Sequence, residues 1–452
     1  MALVCFPFKK EHIPTVLRNV EIATNHPNVS IVLLAAACSN DCFHEISKAI
    51  AAKSASSDPY PVPVRVEVQE RLGVNLRPGK GDGMNSALRY FMKAHTLPEN
   101  KLTAPLQRIH FYDADIESFD KAWITKAEEG TSLGYDVVRH YFPRSSTDAQ
   151  VTWQVTKVGF ALLWPRTTLP WVQQPLGGEL CFTRRVVEKL LSDQRVVRQS
   201  NWGIDTLYTF VCAQNGYSLL EAYMPQGKMH ALYGGLRDLK TMLCECFAAV
   251  QSLKDEHVQS SATVHRIDPP AAVPESITSK IGYDVEKSLK LLRENWSDRQ
   301  MELLTLFPSD IQDGLLAASE WPEYMFMDED AWIRAYKVYL DNFVLDDEDW
   351  RELLFKTWVA RVLNYTMRHV LRGYHVAQQA NTDMVMKLHM KRSLAAFDRH
   401  KCSIDIQDAS SDVQSDAPPS PESDHEGPVS TGKEFLLNVR SEQMIADEFD
   451  TL

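Results

Sequence analysis

Short apolar runs and amphipathic stretches alternate through the first 240 residues. Residues 3–8, 29–37, 62–68, 109–112 and 135–141 have the length and apolar content of strands. Residues 12–24, 42–53, 83–93 and 185–191 carry helical patterns between them. Alternation of this kind predicts an α/β sheet with helices on both faces, and ligands of such sheets gather beyond the carboxyl ends of the strands. From about Lys240 the period changes. Residues 240–253, 283–296, 298–307, 330–343 and 350–371 place apolar side chains at helical spacing, clearest at Leu353, Leu354, Trp358, Val362 and Tyr365. Three parts are therefore expected. Residues 1–240 form an α/β catalytic domain, 241–402 a mainly helical domain with a loop at Pro269-Pro270, and 403–452 an acidic tail. The helical part is expected to shape the acceptor side and an oligomer contact, as a dimer or tetramer.

Composition changes this picture in few places. The formal charge is −12, but residues 403–452 hold twelve acids and two bases, which leaves about −2 for the rest. A nearly neutral body excludes general nucleic-acid binding. The tail is rich in Ser, Asp and Pro as far as Glu434, too poor in large apolar groups to offset chain entropy, and is expected to be disordered. Residues 435–449 could add a short amphipathic helix, and Ser420-Pro421 makes phosphorylation conceivable. Neither a signal peptide nor a spanning helix is expected, which predicts a cytoplasmic protein with no membrane partner. The eight cysteines form no CxxC pair, and Cys38, Cys42 and His44 lack a second ligand pair at zinc spacing.

The strongest chemical signal is Ile109-His110-Phe111-Tyr112-Asp113-Ala114-Asp115, an apolar strand running into two carboxylates at i and i+2. On a strand that spacing puts both on one face, and Mg²⁺ or Mn²⁺ is typically held by one or two carboxylates plus substrate phosphates. Asp328-Glu329-Asp330 and Asp347-Glu348-Asp349 have the same spacing but precede helical patterns, where acids favour the helix dipole, so caps are expected there. Arg77-Pro78-Gly79-Lys80-Gly81-Asp82-Gly83 precedes a helix as well. Its glycines allow close approach to an anion and Lys80 supplies positive charge, though it is neither a Walker A loop nor a dinucleotide fingerprint. Downstream, Arg139 and Arg144, with the hydroxyls of Ser145, Ser146 and Thr147, suit a small organic acid. Gly177 and Gly178 could expose amides, Asp205 opens a helix where a capping role is an equal alternative, and His230 is a candidate metal ligand.

Taken in order, these segments resemble the mannosylglycerate synthase family. The matching blocks are Pro7-Phe8-Lys9-Lys10-Glu11, residues 77–85, 110–115, 139–149, 159–165, 174–180 and 202–210, continuing through 245–253 and 352–373. The resemblance implies a GT-A, Rossmann-like nucleotide-diphospho-sugar transferase domain followed by a helical domain. It implies retaining transfer of mannose from GDP-mannose to the C2 hydroxyl of D-glycerate, making 2-O-α-mannosyl-D-glycerate, a compatible solute. It further implies a divalent ion, Mg²⁺ or Mn²⁺, on Asp115 and His230. The donor would lie against Pro7, Phe8, Lys9, Lys10, Glu11, Ala35, Gln69, Lys80, Asp113, Ala114 and Tyr233. Glycerate would meet Arg144, Ala149, Gln150, Val151, Thr152 and Leu176, with Asp205 near the reacting centre. Ala231 departs from the pattern, since an arginine contacting the donor diphosphate is expected after His230.

Overall fold

The computed structural model describes residues 1–73, 76–145, 147–229, 235–258, 264–267, 281–294, 296–320, 324–370, 380–384, 386–388 and 439–441. The strands are β1 Ala2–Phe8, β2 Val29–Ala36, β3 Val64–Val68, β4 Arg108–Phe111, β5 Val137–Tyr141, β6 Leu180–Thr183, β7 Leu219–Tyr223, β8 Val264–Ile267 and β9 Val439–Ser441. They join one sheet in the order β3-β2-β1-β4-β6-β5-β7-β8-β9. Pairings are parallel except where β6 meets β4 and β5, and where β9 closes on β8.

The helices are α1 Ile13–Thr24, α2 Asp41–Ser54, α3 Lys80–Lys93, α4 Lys121–Ser132, α5 Lys157–Leu163, α6 Arg184–Ser192, α7 Gln194–Val197 and α8 Ile204–Gln214. After them come α9 Lys240–Ser252, α10 Val285–Arg293, α11 Asp298–Leu304, α12 Ser309–Glu320, α13 Glu329–Asn342 and α14 Glu348–Arg368. The period of two in β1 explains the layering. Leu3 and Cys5 point to a core shared with α3, α6 and α8, whereas Val4 and Phe6 point to one shared with α1 and α4. A third core joins the C-terminal helices to α9 and to Val151, Val155 and Val158.

The expected strands and helices of the first half are present with boundaries shifted by a few residues, and the C-terminal half is helical. One shift matters for the site. Helix α3 starts at Lys80 rather than at Gly83, so Gly81 and Gly83 sit in its first turn. A Cβ on Gly81 would lie 2.0 Å from the Gln199 carbonyl oxygen, and the Asp82 N–H donates to Ser200 O at 3.1 Å. Gly81 is therefore required by chain packing rather than by an anion. Asp328 and Asp347 are helix caps, accepting from the N–H groups of Ala331 and of Asp349 and Trp350. Of residues 435–449 only the backbone of 439–441 is described, and it is extended rather than helical because it pairs with the edge strand β8. No helix among the described residues is long and apolar enough to cross a membrane.

Candidate active site

Strand β1 has β2 on one side and β4 on the other, and the chain visits these neighbours through crossovers in opposite directions. Such a switch point opens a crevice beyond the carboxyl ends of the strands. Pro7 and Phe8 end β1 there, followed by exposed Lys9 and Lys10. The Lys9 N–H donates to the Glu11 carboxylate. Burial raises the Glu11 carboxyl above its ordinary range; the Lys9 amide opposes this and the nearby charge of Asp115 adds to it. At the ends of β2 and β3, Ala35 and Gln69 line one cavity with Leu33, Val68, Ser86 and Tyr90.

Strand β4 stops at Phe111, so Asp113, Ala114 and Asp115 occupy the following turn rather than alternate strand positions. Asp113 and Asp115 are both partly exposed and Ala114 is buried. From Asp113 a chain of alternating charges runs through the crevice. Lys228 Nζ donates to Asp113 Oδ2 and, at 2.6 Å, to Glu179 Oε1. On the other side Lys80 Nζ lies 4.0 Å from Asp113 Oδ1 and 2.9 Å from Asp205 Oδ2. The indole of Trp202 lies 5.5 Å from that same ammonium. Burial alone would push both lysines toward neutrality. Instead Asp205 and Asp113 hold Lys80 above its ordinary value, and Asp113 and Glu179 do the same for Lys228. Asp113 is correspondingly held far below the usual carboxylate range, since Lys228 and Lys80 together outweigh desolvation.

Two expectations are corrected by this chain of charges. Asp205 lies in the first turn of α8, yet that helix has no side-chain cap. Its Oδ2 is taken by Lys80 and its buried Oδ1 has no hydrogen-bond partner among the described residues. Desolvation keeps its carboxyl raised despite Lys80. Gly178 makes room for the charges: a Cβ there would lie 2.7 Å from Asp113 Oδ1 and 2.9 Å from Lys80 Nζ, while the Gly177 N–H is taken by the Gln174 carbonyl at 2.8 Å. Arg77, from the same basic loop as Lys80, forks onto Glu245 of α9 at 2.8 and 3.0 Å and is a structural anchor.

Arg139 is corrected too. It is fully buried in β5, where its Nη1 donates to the carbonyls of Gln174, Pro175 and Gly177 at 2.9, 3.1 and 2.8 Å and its Nη2 to Thr209 Oγ1 at 3.0 Å. It shapes the turn that carries Leu176 and is not open to a ligand. Arg144 is only partly buried, stacked 4.8 Å from the Phe142 ring centroid and 3.6 Å from Asp148. Ala149 has φ +57°, a left-handed conformation uncommon for a residue with a Cβ. Gln150 and Val151 then open a helix that continues through a π-helical stretch, Thr152–Thr156, into α5. His230, Ala231 and Tyr233 lie outside the described residues, as does Ser146. Among the described residues no three His, Cys, Asp or Glu side chains converge as a metal cluster, Cys38, Cys42 and His44 included.

Comparison with known proteins decides the family. The model "Mannosylglycerate synthase, GT domain" matches residues 2–252, and "Mannosylglycerate synthase C-terminal domain" matches residues 277–385. The mannosylglycerate synthase of Selaginella moellendorffii is 55% identical over 387 residues, covering 85% of this chain and 89% of that protein. That of Rhodothermus marinus is 52% identical over 379 residues, covering 84% and 92%. The chain belongs to the mannosylglycerate synthase family. It is a glycosyltransferase with a GT domain and a helical C-terminal domain. A glucosyl-3-phosphoglycerate synthase from Mycobacterium tuberculosis, solved with Mn²⁺, UDP and glucosyl-3-phosphoglycerate, is a weak structural likeness. It is 17% identical with TM-score 0.43, over 56% of this chain and 80% of that one.

Within this member of the mannosylglycerate synthase family, the fold gathers Pro7, Phe8, Lys9, Lys10, Glu11, Asp113, Ala114 and Asp115 at one strand-end crevice, with Lys80 of α3 facing Asp113 and held by Asp205 of α8. Lys228 and Glu179 escaped the sequence reading. Lys228 stands in a short turn after β7 with no glycine motif or acidic partner nearby in sequence, and its partners are 115 and 49 residues away. Glu179 lay inside a quoted block, but its only signal was a lone acid before an apolar run.

Proposed function

We propose that this enzyme transfers mannose from GDP-mannose to the C2 hydroxyl of D-glycerate, with the α configuration retained. The identities of its two relatives support the reaction, and one observation carries the assignment of the donor site: Lys80 and Lys228 bracket Asp113 at the switch-point crevice, at 4.0 Å and in direct contact respectively. In this reading the two ammonium groups donate to the donor's diphosphate oxygens, while Asp205 and Glu179 fix where those ammonium groups stand. Ala35 and Gln69, in the cavity past β2 and β3, take the nucleoside end. Arg144 pairs with the glycerate carboxylate, and the backbone from Ala149 to Thr152 with Leu176 frames its hydroxyls. Catalysis then comes from positioning and leaving-group electrostatics rather than from a covalent nucleophile.

The residues fit a hard divalent cation. Asp115 is a partly exposed carboxylate whose charge is felt by Glu11, and oxygen donors of this kind suit Mg²⁺ or Mn²⁺. Asp115, with His230, would hold it, and when bound it neutralises charge building on the departing diphosphate. The deciding experiment is a matrix of nucleotide sugars against small hydroxy acids, with Mg²⁺, Mn²⁺ or excess chelator, products read by mass and anomeric NMR. GDP-mannose with D-glycerate should give the α-linked product with metal and none with chelator or in Asp115→Ala. Turnover with other pairs but not with this one overturns the proposal.

A further inference from the structure

The segment assigned to the acceptor is held from outside the sheet. In the π-helical stretch Thr152–Thr156 the Lys157 N–H reaches back to the Thr152 carbonyl, one residue further than an α-helix allows. Two consecutive carbonyls of this stretch accept side-chain hydrogen bonds from α13. Trp332 Nε1–H donates to Gln154 O at 2.7 Å and the Tyr336 hydroxyl to Val155 O at 3.0 Å. The spacing of four puts both donors on one face of α13. Arg361 of α14 completes the clamp, its Nε donating to Gln154 Oε1 at 3.0 Å and its Nη2 to Glu329 Oε1, in the first turn of α13, at 3.0 Å. A Cβ on Gly159 would lie 2.5 Å from the Tyr336 hydroxyl, so the close approach of α13 requires glycine at that position. Gln154, Trp332, Tyr336 and Arg361 are all buried, so water does not compete for these bonds.

We propose that Trp332, Tyr336 and Arg361 are positioning residues. They fix the π-helical turn, and through it the strained backbone at Ala149 and the three residues after it, so that the C-terminal half sets acceptor affinity without touching either substrate. The inference rests on the assignment of glycerate to Arg144 and residues 149–152. A π-helical turn is an irregularity that persists only when its surroundings over-determine it, and backbone strain at Ala149 has the same requirement. Loosening the clamp therefore relaxes the acceptor frame while leaving the charged crevice beyond the ends of β1 and β4 intact.

The test compares three variants by steady-state kinetics with each substrate varied in turn. Tyr336→Phe removes one hydroxyl and keeps the ring. It should raise the acceptor KM about five- to tenfold, the equivalent of one lost buried hydrogen bond, and leave the donor KM unmoved. Tyr339→Phe is the structural control, because its hydroxyl bonds to Thr357 Oγ1 at 2.7 Å within the C-terminal half. It should cost comparable stability in urea and leave both KM values unmoved. Arg144→Ala tests the underlying assignment and should raise the acceptor KM. If it does not, the acceptor lies elsewhere and the clamp falls with it. If Arg144→Ala responds but Tyr336→Phe does not, or Tyr339→Phe matches Tyr336→Phe, the acceptor assignment stands and the positioning role is overturned.

Discussion

Replacing Lys80 by Met keeps the length of the side chain and removes the charge that Asp205 depends on. The two side chains are 11% and 3% exposed, and their charged atoms are 2.9 Å apart. Leaving a buried partner uncompensated typically costs about 3–5 kcal/mol. The lower end applies here, about 3 kcal/mol, because Asp205 can escape part of the cost by taking up a proton. Lys80's second partner, Asp113, is 4.0 Å away and one-third exposed, so that pair is discounted for solvent screening. The pH dependence follows from linkage. The Asp205 carboxyl is already raised above its ordinary 3.8 by burial and rises further without Lys80. Between 3.8 and the folded value the native state holds a proton that the unfolded chain has lost, so stability falls as pH rises across that window. The deficit of Lys80→Met should thus be largest at about pH 8 and shrink toward about pH 5. Urea unfolding of wild type, Lys80→Met, Asp205→Asn and the double variant at both pH values closes a cycle. The double variant should recover most of the loss, since neutral Asn needs no cation. A Lys80→Met loss below about 1 kcal/mol, the range of a surface pair, would refute the reasoning, as would additive single losses.

Two further substitutions probe the same site. Lys228→Met removes the buried ammonium that touches Asp113 and Glu179, and donor kcat/KM should fall about 10- to 100-fold, the worth of one charged hydrogen bond. An unchanged donor kcat/KM in steady-state assays would take Lys228 out of the donor site. Arg139→Lys keeps the charge but cannot span the Gln174, Pro175 and Gly177 carbonyls, so about 2–4 kcal/mol of stability should be lost in urea unfolding. Wild-type stability in that variant would show that the turn holds its own shape.

What could be read from sequence was what local chemistry decides. The strand–helix alternation, the change of period near Lys240 and the cap nature of Asp328 and Asp347 each depend on residues within one or two turns of each other. Strand β6 runs antiparallel to both of its neighbours, which no pattern within its four residues announces. The misread residues were those whose partners are distant in sequence. Arg139 looks like a carboxylate fork until β5 carries it into the core beside residues 174–177, and nothing near Gly178 in sequence announces that Asp113 and Lys80 are brought against it. The π-helical stretch belongs to the same class. Residues 152–156 are ordinary in composition, and their carbonyls are matched by Trp332 and Tyr336, 178 and 181 residues further on.

The charge count of the crevice bears on how a donor could enter it. Glu11, Asp113, Asp115, Glu179 and Asp205 face Lys9, Lys10, Lys80, Lys228 and Arg144, five acids against five bases with no net excess of either sign. Arg144 lies close enough for its charge to oppose that of Lys228, which with Lys80 forms the buried pair of ammonium groups. Both lysines are held charged by carboxylates, so neither is idle positive charge waiting for an anion. A diphosphate bound as proposed must draw those ammonium groups from their carboxylates, and each carboxylate so released is left without its counter-charge unless further positive charge accompanies the donor. On that proposal a diphosphate already paired with a divalent ion binds better than a bare one. The proposed metal requirement would then act at donor binding as well as in the transfer, and Asp113, which both lysines face, would be the carboxylate most affected as phosphate oxygens arrive.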